Sequence, residues 1–209
     1  MISCIIPHYY HTRIPTVARI IVSLEADVDE ILIWNNDAPF DEAAKRLIGD
    51  RVRIIQASHN YGCQGRFAAV KHIDARTKYV LFHDNDLVAK PGSVQLLRII
   101  AEKYPGDIAA LFGEHRPFGG RAIALSFGRF ELIPRPSLDR ILATWRNDET
   151  SLHDDFWLSI TAEKLGIQRH FIRFPIKNFH DGLGFTNQWP RAAWLKERRR
   201  IFEHLMRIL

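Results

Sequence analysis

Cysteine is scarce in this sequence, which has only Cys4 and Cys63 among its 209 residues. The two lie far apart and form no Cys-x-x-Cys pair, which argues against a disulfide framework and against a zinc ribbon. The chain also lacks any run of about 18 uninterrupted apolar residues, so the sequence predicts no membrane-spanning helix. A basic segment followed by a long apolar stretch is missing at the amino terminus, so we expect no signal peptide and a cytoplasmic location.

Two glycine-rich nucleotide-binding motifs are absent as well. Neither Gly-x-x-x-x-Gly-Lys-Ser/Thr nor Gly-x-Gly-x-x-Gly occurs in the chain, which argues against a P-loop and against a Rossmann fingerprint. Acidic charge is not in excess either, because the formal net charge is +5 and the pI is about 9.4. This charge favours an anionic partner, which could be a nucleotide, a phosphate, a nucleic acid or an acidic membrane surface.

The first half of the sequence does contain a regular alternation of short apolar runs and helical patterns. The apolar runs predict strands at 2–7, 30–37, 52–57, 79–83 and 107–113. Helical spacing between them predicts helices at 14–24, 41–48, 65–74 and 91–104. Strand–helix alternation predicts one α/β domain that has a mostly parallel central sheet with helices on both faces.

The second half is less regular. The Gly- and Pro-punctuated segment "PFGGRAIALSFGRFELIPRP" predicts short antiparallel strands or a loop, and "HDDFWLSITAEKLG" predicts a helix. A late strand is predicted at 168–176, and the basic amphipathic segment 191–209 is predicted to be a helix. That helix either packs on its own domain or contacts an acidic membrane surface from outside. We expect residues 1–113 to bind the nucleotide and residues 114–209 to supply acceptor-binding and catalytic groups.

Polar segments follow four of the predicted strands, namely "HYYH", "WNND", "SHNYGCQG" and "HDND". Ligands of α/β sheets bind beyond the carboxyl ends of the strands, so we expect a binding site where these segments meet. The candidate nucleotide-binding residues are Pro7, Asn35, Asn36, Asn60, Arg66, Asp84 and Asn85.

Asp84 and Asp86 lie one residue apart where the fourth predicted strand ends. Paired carboxylates at such a place can hold Mn²⁺ or Mg²⁺, which keeps water and phosphate oxygens among its ligands. The alternative is a solvated Asx turn, but the position after an apolar strand favours the cation site. His180 in "NFHDGLG" is a further candidate metal ligand, and its alternative is an exposed loop histidine.

Two arginines are candidate phosphate contacts. Arg66 follows Gly62 and Gly65 at the start of a predicted helix, where free N–H groups and a guanidinium fork favour phosphate. Arg191 lies at the start of the last predicted helix and could reach a diphosphate. The alternative for each is an ordinary surface arginine.

Asp154 and Asp155 lie in the first turn of a predicted helix. Adjacent helical residues diverge by about 100°, so one carboxylate caps the helix while the other faces a cleft. Capping is the stronger prediction for Asp154. Asp155 is the candidate catalytic residue, acting as a base or binding sugar hydroxyls.

Four segments in this order, "WNND", "HDND", "HDDFWLS" and "WPRAAW", resemble the exostosin-like, family 64 domain of the GT-A glycosyltransferases. The resemblance implies a GT-A fold and metal-dependent, retaining transfer of a hexose or N-acetylhexosamine from a UDP-sugar to a glycan, lipid or protein. No nucleic-acid partner is expected. The chain departs from the family pattern at Asn85, at His153, where the family has Cys, and in the short region 118–134. The implied roles are Asn35 and Asn36 near the uridine, Asp84 at the ribose or metal, Asp86 at Mn²⁺, Arg66 and Arg191 at the phosphates, and Asp155 and Arg191 at the reaction centre.

Other functions compete with this interpretation. An inverting, family-2-like glycosyltransferase would use Asp155 as the base that deprotonates the acceptor hydroxyl. A nucleotidyltransferase also combines a parallel sheet with paired carboxylates, but "PHYYHTRIP" has no glycine where such enzymes usually need a Gly-rich loop. A non-catalytic module could bind anionic polymers or membranes through the basic segment 191–209.

Overall fold

The computed structural model describes residues 1–9, 11–37, 39–49, 52–118, 121–126, 129–145, 154–172, 177–178, 196, 200 and 203. The strands are β1 (Ile2–His8), β2 (Glu30–Asn35), β3 (Val52–Gln56), β4 (Tyr79–His83), β5 (Leu87–Val88), β6 (Ile108–Ala110), β7 (Gly113–Phe118), β8 (Arg121–Ser126), β9 (Phe130–Pro134), β10 (Arg169–Phe171) and β11 (Lys177–Asn178). The α-helices are α1 (Ile14–Leu24), α2 (Glu42–Ile48), α3 (Gly65–Ala69), α4 (Ser93–Lys103), α5 (Arg135–Leu142) and α6 (Asp154–Lys164).

Among the described residues, seven strands form the central sheet, in the order β10-β6-β9-β4-β1-β2-β3. Strands β3, β2, β1 and β4 run parallel to one another, and β10 runs parallel to β6. Strand β9 is antiparallel to both of its neighbours, β4 and β6. The hairpin β7–β8 and the short pair β5–β11 lie outside this sheet. The predicted α/β fold with a mostly parallel central sheet is therefore confirmed.

Apolar side chains cover both faces of the sheet because successive strand residues point to opposite faces. Along β1, Ile5 packs in one cluster with residues of α3, α5 and α6. Its neighbours Cys4 and Ile6 pack in the other cluster with residues of α1, α2 and α4. The predicted helices on both faces are thus present, and this double coverage explains why the strands are nearly continuous apolar runs.

Helix α1 matches its predicted bounds because its apolar spacing is unambiguous. A fully buried Ile or Leu contributes about 1.5–3 kcal/mol relative to an exposed one, so such a stripe ties the helix to the sheet. The buried residues of the stripe are Ile14, Val17, Ile20, Ile21 and Leu24.

Two helices differ from their predicted bounds. The helix expected from Pro91 begins at Ser93, because Gly92 has φ +82°, a left-handed conformation that an α-helix does not contain. The helix expected at 65–74 is the short α3, followed by a 3₁₀ helix at Val70–His72.

The second half contains antiparallel strands, as predicted, and one helix that was not predicted. Helix α5 has Pro136 in its first turn and buries Leu138 and Ile141, a signal too short to separate from a loop. Of the predicted helix at 191–209, only residues 196, 200 and 203 are described, and all three are helical. Within the described part of the chain, no helix has both the length and the apolar character needed to cross a membrane.

Candidate functional site

Strand β4 brings Asp84 and Asp86, which we call the acidic pair, to the carboxyl edge of the parallel strands. Asn85 and Asp86 are buried, with 3% and 8% of their surface exposed, and Asp84 is partly buried. Strand β5 begins at the next residue, Leu87, which is fully buried. The chain turns at Asn85 and Asp86, as the Asx-turn alternative expects, but this turn is buried rather than solvated.

Arg66 on α3 joins the end of β4 to the start of α6. Its Nη2 donates a hydrogen bond to Asp84 Oδ1 at 2.8 Å, and its Nε lies 2.7 Å from Asp154 Oδ2. The Nε also donates to the Cys63 carbonyl oxygen at 3.3 Å. Burial alone lowers the pKa of Arg66, but Asp154 and Asp84 outweigh it and raise that pKa well above its ordinary value. Arg66 is thus a permanently charged link between two carboxylates.

Arg129, immediately before β9, contacts both members of the acidic pair. Its Nη2 donates to Asp86 Oδ1 and Oδ2 at 3.2 and 3.3 Å, and its Nε lies 3.7 Å from Asp84 Oδ2. The Asp84 N–H donates to the Arg129 carbonyl oxygen at 2.9 Å, a contact that follows from the antiparallel pairing of β4 and β9. Arg129 was not predicted from the sequence, because it lies 43 positions from Asp86 and belongs to no motif.

Two carboxyl groups of this cluster have raised pKa values. Burial raises the pKa of Asp84, although Arg66 opposes the shift. Burial likewise raises the pKa of Asp154 to about 6, with Arg66 opposing and Asp155 and Asp84 adding to the shift. Such perturbed carboxyl groups are common at functional sites.

The two aspartates of α6 have different partners. The Asp154 carboxylate, expected to cap the helix, is buried against Arg66. Asp155 is also buried, and its Oδ1 accepts a hydrogen bond from the Phe156 N–H at 3.0 Å. The structure thus places the candidate base beside the charged cluster, and its catalytic role stays a prediction.

Two asparagines at the carboxyl end of β2, Asn35 within the strand and Asn36 just after it, hold neighbouring loops in place. Asn36 Oδ1 accepts hydrogen bonds from Trp34 Nε1 at 3.1 Å and from the Tyr61 N–H at 3.0 Å. Asn35 Nδ2 donates to Gln56 Oε1 at 2.8 Å. These contacts position the loop that leads into α3 and Arg66, whereas the predicted contacts with uridine stay untested.

The remaining nucleotide-binding candidates lie around the same edge of the sheet. Arg13 Nη1 donates to Asn85 Oδ1 at 2.7 Å, and Asn85 Nδ2 lies 3.4 Å from His8 Nδ1. Pro7 is buried near the carboxyl end of β1, and the exposed Asn60 accepts a backbone N–H from its own loop. Arg13 is a further residue that the sequence analysis missed.

The acidic pair suits a hard divalent cation, since it offers carboxylate oxygens. Nowhere in the described ranges do three or more His, Cys, Asp or Glu side chains gather as metal ligands. Two carboxylates are nevertheless sufficient for Mg²⁺, which often completes its shell with water and substrate phosphates. The predicted metal ligand His180 and the predicted phosphate contact Arg191 lie outside the described residues, as does His153.

Comparison with known proteins identifies a family. The model of a family described as glycosyl transferase family 2 matches residues 3–165. The matched span contains the acidic pair of β4, Arg129 and both aspartates of α6. No curated protein matches the chain significantly.

Proposed function

The chain belongs to glycosyl transferase family 2, and we propose that it moves a sugar from a UDP-sugar to a hydroxyl group of a glycan, lipid or protein. Membership confirms the coarser prediction of a GT-A glycosyltransferase, an enzyme with a nucleotide-sugar donor and an acceptor. The narrower resemblance to the exostosin-like family 64 domain stays a prediction. The transferred group is proposed to be a hexose or an N-acetylhexosamine.

The observation that carries this proposal is the meeting of charged side chains from distant parts of the chain. Asp84 and Asp86 follow β4, Asp154 begins α6, and Arg66 lies within 2.7–2.8 Å of two of these carboxylates. Carboxylates placed beside arginines at the carboxyl edge of an α/β sheet suit a nucleoside diphosphate together with its cation.

In the proposed site, Asp84 and Asp86 would hold Mn²⁺ or Mg²⁺, which supplies positive charge for the leaving diphosphate. Arg66 orients Asp84 and opposes the rise in its pKa that burial causes, so it favours the ionised carboxylate that such a ligand must provide. Arg66 also holds Asp154 and thereby positions the first turn of α6. A direct contact between Arg66 and phosphate stays a prediction.

We propose that transfer inverts the anomeric carbon, with Asp155 as the base. Asp155 accepts the proton of the acceptor hydroxyl while the hydroxyl oxygen forms a bond to the anomeric carbon. On the opposite face the bond to the diphosphate breaks, and its electron pair leaves with the diphosphate. Family 2 membership supports this alternative. Retention is the competing outcome, and NMR of the anomeric proton of the product distinguishes the two.

Calorimetry with UDP-, GDP- and dTDP-sugars, each with and without Mn²⁺, tests the donor and the cation. UDP-sugar should bind best and only with Mn²⁺, and Asp86→Asn should weaken that binding by at least about tenfold. Asp139→Asn is the matched control, because it removes an exposed carboxylate paired with Arg135 on α5. Equal binding of UDP-sugar without metal and to the Asp86→Asn variant would refute the proposed cation site.

We also propose that the protein acts in the cytoplasm, where sugar nucleotides are available to it. Peripheral contact of the basic segment 191–209 with an acidic membrane stays a prediction, since most of that segment lies outside the described residues.

A further inference from the structure

Arg129 contacts the carboxylate oxygens that a shared cation would need. Its Nη2 lies 3.2 and 3.3 Å from the two Asp86 oxygens, and its Nε lies 3.7 Å from Asp84 Oδ2. A divalent cation such as Mg²⁺ binds oxygen at about 2.0–2.1 Å and would face the same atoms. The Arg129 guanidinium and a divalent cation would therefore repel each other between Asp84 and Asp86. Only one of the two can contact this acidic pair at a time.

We propose that Arg129 is an exchangeable counter-ion of the donor site. Arg129 neutralises Asp84 and Asp86 in the free enzyme, leaves them when the divalent cation binds, and then pairs with the diphosphate of the donor. The cation and the nucleotide consequently bind with strong mutual dependence. This inference rests on the proposed function, and it assigns to Arg129 the control of cation entry and the positioning of the diphosphate.

The contrast with Arg66 indicates which arginine can move. The Arg66 side chain is only 6% exposed and lies 2.7–2.8 Å from two carboxylates, whereas the Arg129 side chain is 29% exposed and makes contacts of 3.2–3.7 Å. The carbonyl group of Arg129 is held by the Asp84 N–H, so the side chain can turn while the backbone stays in place. The ring of Phe112, 5.6 Å from the guanidinium carbon, offers a cation–π surface beside it.

The charge balance explains why the exchange needs both ligands. In the contacts described, three carboxylates share two guanidinium groups: Asp84, Asp86 and Asp154 with Arg66 and Arg129. When Arg129 turns away, a divalent cation replaces its charge at the pair. The displaced guanidinium then needs an anion at the same edge, and a diphosphate provides one with the bidentate geometry that arginine favours.

The test is Mn²⁺ binding, measured by calorimetry and by the EPR signal of free Mn²⁺, with and without UDP. In the absence of UDP, Arg129→Met should bind Mn²⁺ about tenfold more tightly than the wild type, since a competing charge is gone. UDP should strengthen Mn²⁺ binding to the wild type about tenfold more than it does to Arg129→Met. By linkage, Mn²⁺ must strengthen UDP binding by the same factors.

Arg135→Met is the matched control. Arg135 follows β9 at the opposite end of the strand, is 27% exposed and pairs with Asp139 at 2.7 Å, so its loss should leave Mn²⁺ binding unchanged. Arg129→Lys keeps the charge without the fork and should lie between the wild type and Arg129→Met. Arg129→Gln repeats the measurement if the methionine variant fails to fold, and melting temperatures report the folding of each variant.

Two results would overturn the inference, and they have different meanings for the proposed function. If Arg129→Met and the wild type bind Mn²⁺ equally while Asp86→Asn abolishes binding, the cation site stands and Arg129 is no counter-ion. If no variant binds Mn²⁺ with or without UDP, the proposed cation fails and the inference fails with it.

Discussion

Replacing Gly65 with alanine tests whether close packing against Trp34 and Asn36 positions the loop that leads into the candidate site. A Cβ atom at Gly65 would lie 2.5 Å from Trp34 Cδ1, 2.8 Å from Trp34 Nε1 and 2.9 Å from Asn36 Nδ2. The same indole donates a hydrogen bond to Asn36 Oδ1, which also holds the Tyr61 N–H. Gly65→Ala should therefore displace the Trp34 side chain and loosen the loop that leads into α3 and Arg66.

Opposing effects determine how far Gly65→Ala lowers the free energy of unfolding. Alanine gains up to about 1 kcal/mol over glycine in a helix, and less at the first residue of a helix. Overpacking of a buried site costs about 1–3 kcal/mol, and loss of the Trp34–Asn36 hydrogen bond costs about 0.5–1.5 kcal/mol. The free energy of unfolding should fall by about 2 kcal/mol, which for a chain of this length lowers Tm by about 4–8 °C.

Urea unfolding followed by tryptophan fluorescence and by circular dichroism measures this loss. A double-mutant cycle with Trp34→Leu identifies its cause, because the smaller side chain removes the two shortest contacts of the new methyl group and leaves that with Asn36 Nδ2. In the Trp34→Leu background, Gly65→Ala should therefore cost at least about 1 kcal/mol less than in the wild type. Equal losses in the two backgrounds, or a gain in the wild-type background, would refute the steric reasoning.

Two other substitutions test the charged cluster. Arg66→Met should lower the free energy of unfolding by about 3–5 kcal/mol at about pH 7.5, because it leaves the Asp84 and Asp154 carboxylates buried without their guanidinium. At about pH 5 the loss should be smaller, since protonation of these carboxylates removes the unpaired charge. An equal loss of stability at the two pH values would contradict the ion-pair explanation. The pKa of Asp154 is raised from 3.8 to about 6, so the folded protein binds this proton more tightly than the unfolded chain does. The resulting contribution to stability is complete below pH 3.8 and is lost as the pH rises through about 6. Acidification from about pH 7.5 to about pH 5 should therefore stabilise the wild type relative to Asp154→Asn by about 1 kcal/mol, as measured by urea unfolding. If the difference in free energy of unfolding between the two proteins does not change with pH, the pKa of Asp154 is not raised.

Local pattern was sufficient to predict the elements that deliver the site. The bounds of β4 were predicted correctly because Tyr79–His83 is an apolar run closed by a histidine and followed by an acidic residue. Helix α6, predicted over 153–166, spans Asp154–Lys164, and its acidic first turn followed by an apolar segment made it recognisable. Parallel strands bring their carboxyl ends to one edge, so the location of the candidate site followed from the order of strands and helices alone.

Tertiary register, by contrast, could not be predicted from local pattern. Arg129 reaches Asp86 only because β9 is antiparallel to β4 and pairs Phe130 with His83. Nothing in the spacing of "SFGRFELIP" specifies that partner. The contact of Asp154 with Arg66 has the same origin, because capping is a local preference whereas a buried ion pair depends on how α3 and α6 pack across the sheet.

The reversed strand β9 also has a consequence for the order of folding during synthesis. Strands β4 and β6 are made before β9, yet β9 lies between them in the sheet. Until Phe130–Pro134 leaves the ribosome, β4 is an unprotected edge and β6 has neither of its neighbours, β9 and β10. Exposed edges invite pairing with other chains, so the nascent protein passes through a stage at which chaperone protection is most valuable. Insertion of β9 closes that edge and brings Arg129 to the acidic pair in the same step.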